Sequence, residues 1–221
     1  MSFARSARRV AQSVGVGLLA LGAAASWAWD EAVDGDLSNA GLAPTVLVFG
    51  NGSNVVAGTV GRPAVGAEVD RDYFSFTVPV GSVFSAIQVL APTAALGGGS
   101  FIALQAGPQV TVPFNTASAA GLLGWTLFSA DDIGSSLLPL MAIPEAGSSG
   151  FELPLGAGSY AVWIQETATG TAVYTLDFTL TAVPEPATAL LWGGGLLALA
   201  ALRRKSLAGP FPGAASDKAA D

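Results

Sequence analysis

The sequence contains no cysteine and no histidine. Without cysteine, a disulfide framework, a thiol nucleophile and a thiolate metal site are all excluded. Without histidine, the most common general base and metal ligand is missing, and a Ser-His-Asp triad is excluded as well. If the protein is exported, its core must therefore be large enough to fold without cross-links.

Positive charge is scarce in the middle of the chain. Between residues 29 and 182 the only cations are Arg62 and Arg71, against 13 acidic residues, which gives this part a net charge of −11. It contains no lysine, so a Ser-Lys dyad is excluded. A surface of this sign repels nucleic acid and anionic lipid, and we expect no nucleic-acid partner.

The remaining composition favours β-structure. Of the 221 residues, 51% are hydrophobic and only 11% are charged, and the chain carries 28 glycines and 13 prolines. This balance is typical of turn-rich β-structure with apolar segments at the ends. The length suits one domain together with targeting segments.

Residues 1–28 are predicted to form a secretory signal peptide. A basic start precedes a short apolar stretch at 14–25, and small residues then mark a cleavage site after Ala28, with Ser26 as the alternative. A retained anchor helix is the competing interpretation, although the stretch is short for a full membrane span. Cleavage at Ala28 would make signal peptidase and the general export machinery partners of the chain. The basic residues are Arg5, Arg8 and Arg9.

A second apolar run lies near the C-terminal end of the sequence. The motif Val183-Pro184-Glu185-Pro186 precedes a 16-residue apolar run at 187–202, and the cluster Arg203-Arg204-Lys205 follows it. As a helix the run is roughly 24 Å long, slightly short of a typical hydrocarbon core. A buried core helix is the alternative, but the basic cluster fits the positive-inside rule and predicts a transmembrane helix with the central domain outside the inner membrane.

The order of this motif, apolar run and basic cluster resembles the PEP-CTERM sorting signal of bacterial envelope proteins. The resemblance implies that an exosortase, a membrane-embedded cysteine protease, recognises residues 183–205. It also implies a Gram-negative envelope, transient anchoring in the inner membrane, and then release or retention near exopolysaccharide. The sequence departs from the family pattern in residues 206–221, which continue beyond the basic cluster and are expected to be disordered. An anchored protein that is never cleaved is an alternative.

The central residues 44–182 read as a series of short strands separated by turns. Tyr73 to Val78 and Tyr160 to Ile164 alternate between a buried and a less buried face, as does the run 172–182. This pattern predicts an all-β, antiparallel β-sandwich. The sequence further predicts a hairpin of 45–50 with 54–60 around Asn51-Gly52, a further strand at 109–114 and a short helix at 116–123.

Two of these segments carry a second resemblance. Asp70-Arg71-Asp72-Tyr73-Phe74-Ser75-Phe76 and Gly158-Ser159-Tyr160 are similar to strands of the bacterial pre-peptidase C-terminal type of β-sandwich. The resemblance implies a jelly-roll-like accessory domain, which in relatives serves secretion, adhesion or carbohydrate contact. It also makes Asp70 and Asp72 candidate calcium ligands, but we interpret them as a solvated strand entry, with calcium binding as the alternative.

The other candidate chemistry rests on carboxylates and aromatic rings. The segment 29–43 is acidic and is interpreted as a solvated, irregular stretch, with calcium binding as the alternative. A glycan hydrolase needs only two carboxyl groups, so that class stays open. Tyr160, Trp163 and Trp125 could stack on a sugar, although core packing also explains them. The sequence therefore predicts an exported, non-enzymatic β-sandwich protein, with the hydrolase as the alternative. The acids of 29–43 are Asp30, Glu31, Asp34 and Asp36, and the candidate carboxyl pairs are Asp131 with Asp132, Glu152 with Glu166, and Asp70 with Asp72.

Overall fold

A computed structural model describes residues 27–62, 64 and 66–183. The predicted signal peptide up to Ser26, the sorting motif from Pro184 onward, the predicted membrane helix, the basic cluster and the tail lie outside the described residues. No helix among the described residues is long and apolar enough to cross a membrane. The strands are β1 (Trp27–Asp30), β2 (Thr45–Val46), β3 (Asn54–Arg62), β4 (Arg71–Val78), β5 (Ser82–Val89), β6 (Ser100–Ala106), β7 (Gly124–Phe128), β8 (Gly158–Glu166) and β9 (Gly170–Ala182).

The nine strands form two sheets. One has the order β1-β3-β9-β5, and the other has the order β2-β4-β8-β6-β7. Most neighbours are antiparallel, but β1 runs parallel to β3 and β2 runs parallel to β4. The prediction of an all-β sandwich is confirmed, whereas the prediction that it is antiparallel throughout is wrong at these two edges.

The predicted hairpin around Asn51-Gly52 does not form. Residues 45–46 pair with β4 in one sheet, and β3 pairs with β9 in the other. The Asn54 side chain explains the difference, because its amide donates to the carbonyl oxygens of both Gly50 and Phe178. The turn is thereby tied to β9, and the two strands that it joins separate into different sheets.

Helical structure is short and lies away from the predicted position. Residues 109–114 form no strand, and residues 116–123 form turns instead of a helix, since the Ala119 N–H donates across to the Ala146 carbonyl. That hydrogen bond holds the segment against the outer face of the five-stranded sheet, where Ala119 and Leu122 are both buried. The helical segments are α1 (Glu31–Asp34), a 3₁₀ turn (Ala130–Asp132) and α2 (Leu138–Met141).

The main core fills the space between the two sheets. The predicted inward-facing residues are confirmed, because Phe74 and Phe76 of β4, Tyr160 of β8 and Phe178 of β9 all point inward. The opposite face was expected to be less buried, but on β4 and β8 it is largely buried as well. Phe178 lies at the centre, with its ring 5.4 Å from that of Phe74 and 6.0 Å from that of Phe76. Aromatic contacts of this kind add to the free energy gained by burying apolar area, so this cluster holds the two sheets together.

Candidate acidic site

Asp72 is buried inside the sandwich. It precedes Phe74 and Phe76 by two and four residues, so the alternation of β4 turns its side chain toward the opposite sheet. Its exposed fraction is 0%, and the Tyr174 hydroxyl of β9 donates to Oδ2 at 2.6 Å. The other carboxyl oxygen, Oδ1, has no hydrogen-bond partner among the described residues. The solvated strand entry expected for this residue is wrong.

The N-terminal acidic segment brings two more carboxyl groups to Asp72. Helix α1 begins after Asp30, whose side chain accepts from the Ala32 N–H and caps the turn. Glu31 is then fixed by two backbone donors, the N–H of Thr59 at 2.8 Å and that of Leu37 at 3.1 Å. The segment expected to be irregular and solvated therefore contributes β1 and α1 to the fold.

Carboxyl oxygens of Glu31, Asp36 and Asp72 lie within 4.8 Å of one another. We call these three residues the acidic site. Glu31 is half-buried and Asp36 is exposed, so the site runs from the sandwich interior to the surface. A cleft of about 540 Å³ adjoins it, with Glu31, Asp36 and Tyr174 in its walls.

The electrostatics show how unfavourable these charges are without a counter-ion. Burial, followed by the charge of Glu31, raises the pKa of Asp72 to about 9. Burial also raises the pKa of Glu31, although its two backbone hydrogen bonds act in the opposite direction. Arg71 does not neutralise the site, because its Nε donates to Gln165 and its guanidinium lies over the ring of Phe114.

Asp70, the other predicted calcium ligand, lies beside the acidic site. Its backbone pairs with Gly61, and its Oδ1 is buried without a hydrogen-bond partner among the described residues. Burial and the charges of Asp36 and Glu31 raise the pKa of Asp70 to about 6. Asp70 therefore adds negative charge to the site, while the three clustered carboxyl groups are Glu31, Asp36 and Asp72.

The donor set fits a hard divalent cation. Calcium takes six to eight oxygen ligands and accepts carboxylates, carbonyls and water. Three carboxylates supply up to six oxygens, and the buried Oδ1 of Asp72 accepts no hydrogen bond from any described residue. A bound cation would satisfy that oxygen and favour the charged form of Asp72, which burial and then the charge of Glu31 disfavour.

The sequence predicts the individual acidic residues of this site but not that they lie close together. Asp70 and Asp72 on one hand, and the acids of 29–43 on the other, were separate candidates. What joins them is the parallel pairing of β1 with β3, for which the sequence carries no recognisable signal. The inward direction of Asp72 could have been read from its spacing to Phe74 and Phe76.

The sorting and cleavage residues are only partly described. Ala28 lies in β1, where it pairs with Val55. Val183 follows β9, is 47% exposed and donates its N–H to the Gly81 carbonyl. The predicted residues Pro184, Glu185, Pro186, Arg203, Arg204 and Lys205 lie outside the described residues.

Two of the carboxyl groups considered for hydrolysis accept hydrogen bonds that stabilise the local structure. Glu166 is buried and accepts from the Ser100 hydroxyl and from three backbone N–H groups, while Glu152 is exposed. Asp132 accepts from the Ser129 N–H in a capping box. The aromatic set also divides, because Tyr160 lies in the main core whereas Trp163 and Trp125 lie on the outer face of the five-stranded sheet.

Comparison of the chain with models of known protein families, with curated proteins and with solved structures finds no match.

Proposed function

We propose that this chain is an exported, non-enzymatic β-sandwich protein of a Gram-negative envelope, sorted by an exosortase and stabilised by a calcium ion in the acidic site. The observation that carries the calcium assignment is the buried Asp72, whose Oδ1 has no hydrogen-bond partner among the described residues, in a cluster with Glu31 and Asp36. The resemblance of the Asp70 to Phe76 strand to the pre-peptidase C-terminal sandwich supports a jelly-roll-like accessory domain. Binding or structural work near exopolysaccharide is the role that we assign to it.

The position of β9 supports the sorting part of the proposal. The last strand ends at Ala182, and Val183 opens the motif Val183-Pro184-Glu185-Pro186. The sandwich therefore ends where the proposed recognition segment begins. In this arrangement residues 187–202 cross the inner membrane and Arg203 to Lys205 stay in the cytoplasm.

Replacing Pro184, Glu185 and Pro186 together with alanine should prevent processing of the C-terminal segment. The wild-type protein from the culture fluid should give an intact mass that ends near Val183, and the variant should remain in the membrane fraction at the larger mass. Replacing three residues of the predicted tail, Asp217, Lys218 and Asp221, provides the control and should leave processing unchanged. Equal mass and location for the triple variant and the wild type would support an anchored protein that is never cleaved.

The same mass measurement locates the N-terminal cleavage. Strand β1 begins at Trp27, so cleavage after Ser26 keeps all four of its residues, whereas cleavage after Ala28 removes half of them. Both sites keep Glu31, Asp36 and Asp72, the three residues of the acidic site. We retain the prediction of Ala28 on its small residues at the −3 and −1 positions, and a mature chain that starts at Trp27 would contradict it.

A carboxylate-dependent glycan hydrolase is the rival class. Such an enzyme needs two carboxyl groups that reach the substrate. Asp72 is fully buried, and Glu166 is occupied by four donors, which supports the non-enzymatic proposal. We expect no release of reducing sugar from exopolysaccharide; turnover that alanine substitution of these acids abolishes would establish the enzyme instead.

A further inference from the structure

A row of aromatic side chains crosses the outer face of the five-stranded sheet. Tyr73, Trp163, Ala103 and Trp125 are successive cross-strand neighbours on β4, β8, β6 and β7. The Tyr73 and Trp163 rings stack at 5.7 Å, and Phe101 of the adjacent row stacks on Trp125 at 5.7 Å. Ala103 is the one small residue in the row, so the platform dips between the two tryptophans.

The segment 110–122 folds over this row but does not fill the space above it. Val110, Val112, Ala119 and Leu122 pack onto the sheet, and an open pocket of about 180 Å³ remains beside them. Phe101, Trp125 and Trp163 line the inner side of the pocket. Phe114 stands at the rim with 54% of its surface exposed, held by the Arg71 guanidinium 3.9 Å from its ring centre.

The polar groups of the pocket are uncharged donors. No described residue that lines it is acidic or basic. The hydroxyl oxygens of Thr116 and Ser118 each accept a backbone N–H, which leaves both hydroxyl protons available. The Oε1 of Gln165 accepts from Arg71, and this fixes the amide so that its Nε2 group, which donates to no described residue, is also available.

We propose that this pocket binds one ring of a neutral saccharide chain. A pyranose offers an apolar face of C–H groups for stacking on Trp125 and Phe101, and hydroxyl oxygens for the three donors. The lining residues are uncharged, and the net charge of −11 on residues 29–182 disfavours an acidic sugar. Arg71, the cation beside the pocket, is engaged with Gln165 and the Phe114 ring. A volume of about 180 Å³ lies below the usual range for drug-sized ligands, which limits the contact to a single ring.

The proposal deepens the matrix role given above and does not depend on the acidic site or on sorting. The acidic site involves the interior of the sandwich and the β1–α1 segment, whereas the pocket lies on the outside of the other sheet. A failure of saccharide binding would leave the calcium response of the protein unchanged. Conversely, Asp72→Asn should leave saccharide binding intact, so failures of the two proposals are distinguishable.

The test uses the full-length chain, purified in a detergent without a sugar headgroup. Titration calorimetry and tryptophan fluorescence follow the addition of uncharged oligosaccharides built on glucose, galactose, mannose or N-acetylglucosamine, with oligogalacturonate as the charged counterpart. We expect at least one uncharged oligosaccharide to bind with a Kd of about 1 mM or tighter. Trp125→Ala and Phe114→Ala should each weaken it at least about tenfold, and Phe114 is 54% exposed, so that Phe114→Ala removes little buried surface.

Leu127→Ala is the matched control. Leu127 lies on β7, two residues from Trp125, is 42% exposed and does not line the pocket, so its loss should leave the Kd unchanged. Three results would each overturn the proposal: no binding of any uncharged oligosaccharide at about 10 mM, tighter binding of oligogalacturonate, or equal binding by all three variants.

Discussion

Calcium added to the chelator-treated protein should raise its Tm by about 5–10 °C. Extracellular calcium modules bind with a Kd of roughly 0.1–1 mM, so about 10 mM calcium approaches 100 times Kd at the tight end. Saturation of that degree adds about 2.7 kcal/mol to the free energy of unfolding, and about 1 kcal/mol shifts the Tm of a chain of this size by roughly 2–4 °C. Thermal scans of the full-length chain with chelator, with calcium and with magnesium measure the effect. Magnesium should give a smaller shift, because it demands a tighter octahedral geometry.

Asp72→Asn tests the same prediction, because it should stabilise the calcium-free protein and remove most of its response to calcium. The amide oxygen can still accept from the Tyr174 hydroxyl, and the variant is neutral without taking up the proton that Asp72 must bind on folding. Without calcium it should therefore be more stable than the wild type at pH 8, and it should lose most of the calcium-dependent rise in Tm. Asp131→Asn, an exposed acid outside the site, should change neither value. A full calcium response in Asp72→Asn would show that the ion binds elsewhere.

The calcium-free protein should lose stability as the pH rises from 5 to 9. The pKa of Asp72 is about 9 in the folded state and near 3.9 in an unfolded chain, so over this range the folded state holds a proton that the unfolded state has released. That contribution is fully present below pH 4 and is lost as the pH approaches the folded value. Asp70, with a pKa of about 6, and Glu31 act in the same direction. The loss should be on the order of several kcal/mol, since one pKa unit corresponds to about 1.4 kcal/mol.

Calcium should reverse this trend, because it competes with protons for the same oxygens. The calcium-dependent rise in Tm should therefore be larger at pH 8.5 than at pH 5. Denaturant unfolding at a series of pH values, with chelator or calcium, measures both slopes. Asp72→Asn should flatten the chelator curve, whereas a wild-type chelator curve that is flat or rises with pH would contradict the assignment.

Local patterns in the sequence predicted the strands well and their partners less well. The inward face of β4, β8 and β9 and the turns between them depend on neighbouring residues, and these predictions are confirmed. The hairpin predicted at Asn51-Gly52 does not form, because the side-chain amide of Asn54 donates to Phe178, 124 residues away. The pairing of β1 with β3 is equally non-local, and this is why the acidic segment looked detached from the sandwich.

The same holds for the candidate sites: the sequence predicts some of their residues but not which residues lie together. The sequence predicts Asp72 as a candidate ligand, but its proximity to Glu31 and Asp36 results from the packing of α1 on β3. The aromatic set contained Trp163 and Trp125 but also Tyr160, which belongs to the opposite face of β8. Phe101 completes the aromatic cluster on the outer face. Its place opposite Gln165 follows from the pairing of β6 with β8, which local sequence patterns do not predict.

The place of β9 in its sheet sets the order in which the protein can mature. It is the last described strand in the chain, yet it lies between β3 and β5 and supplies Tyr174 to the acidic site. If the chain is exported from its N-terminal end, as proposed, neither the four-stranded sheet nor the contact of Tyr174 with Asp72 can form until β9 has emerged. Calcium binding would then be a late step of folding, close in time to the arrival of the following segment at the bilayer.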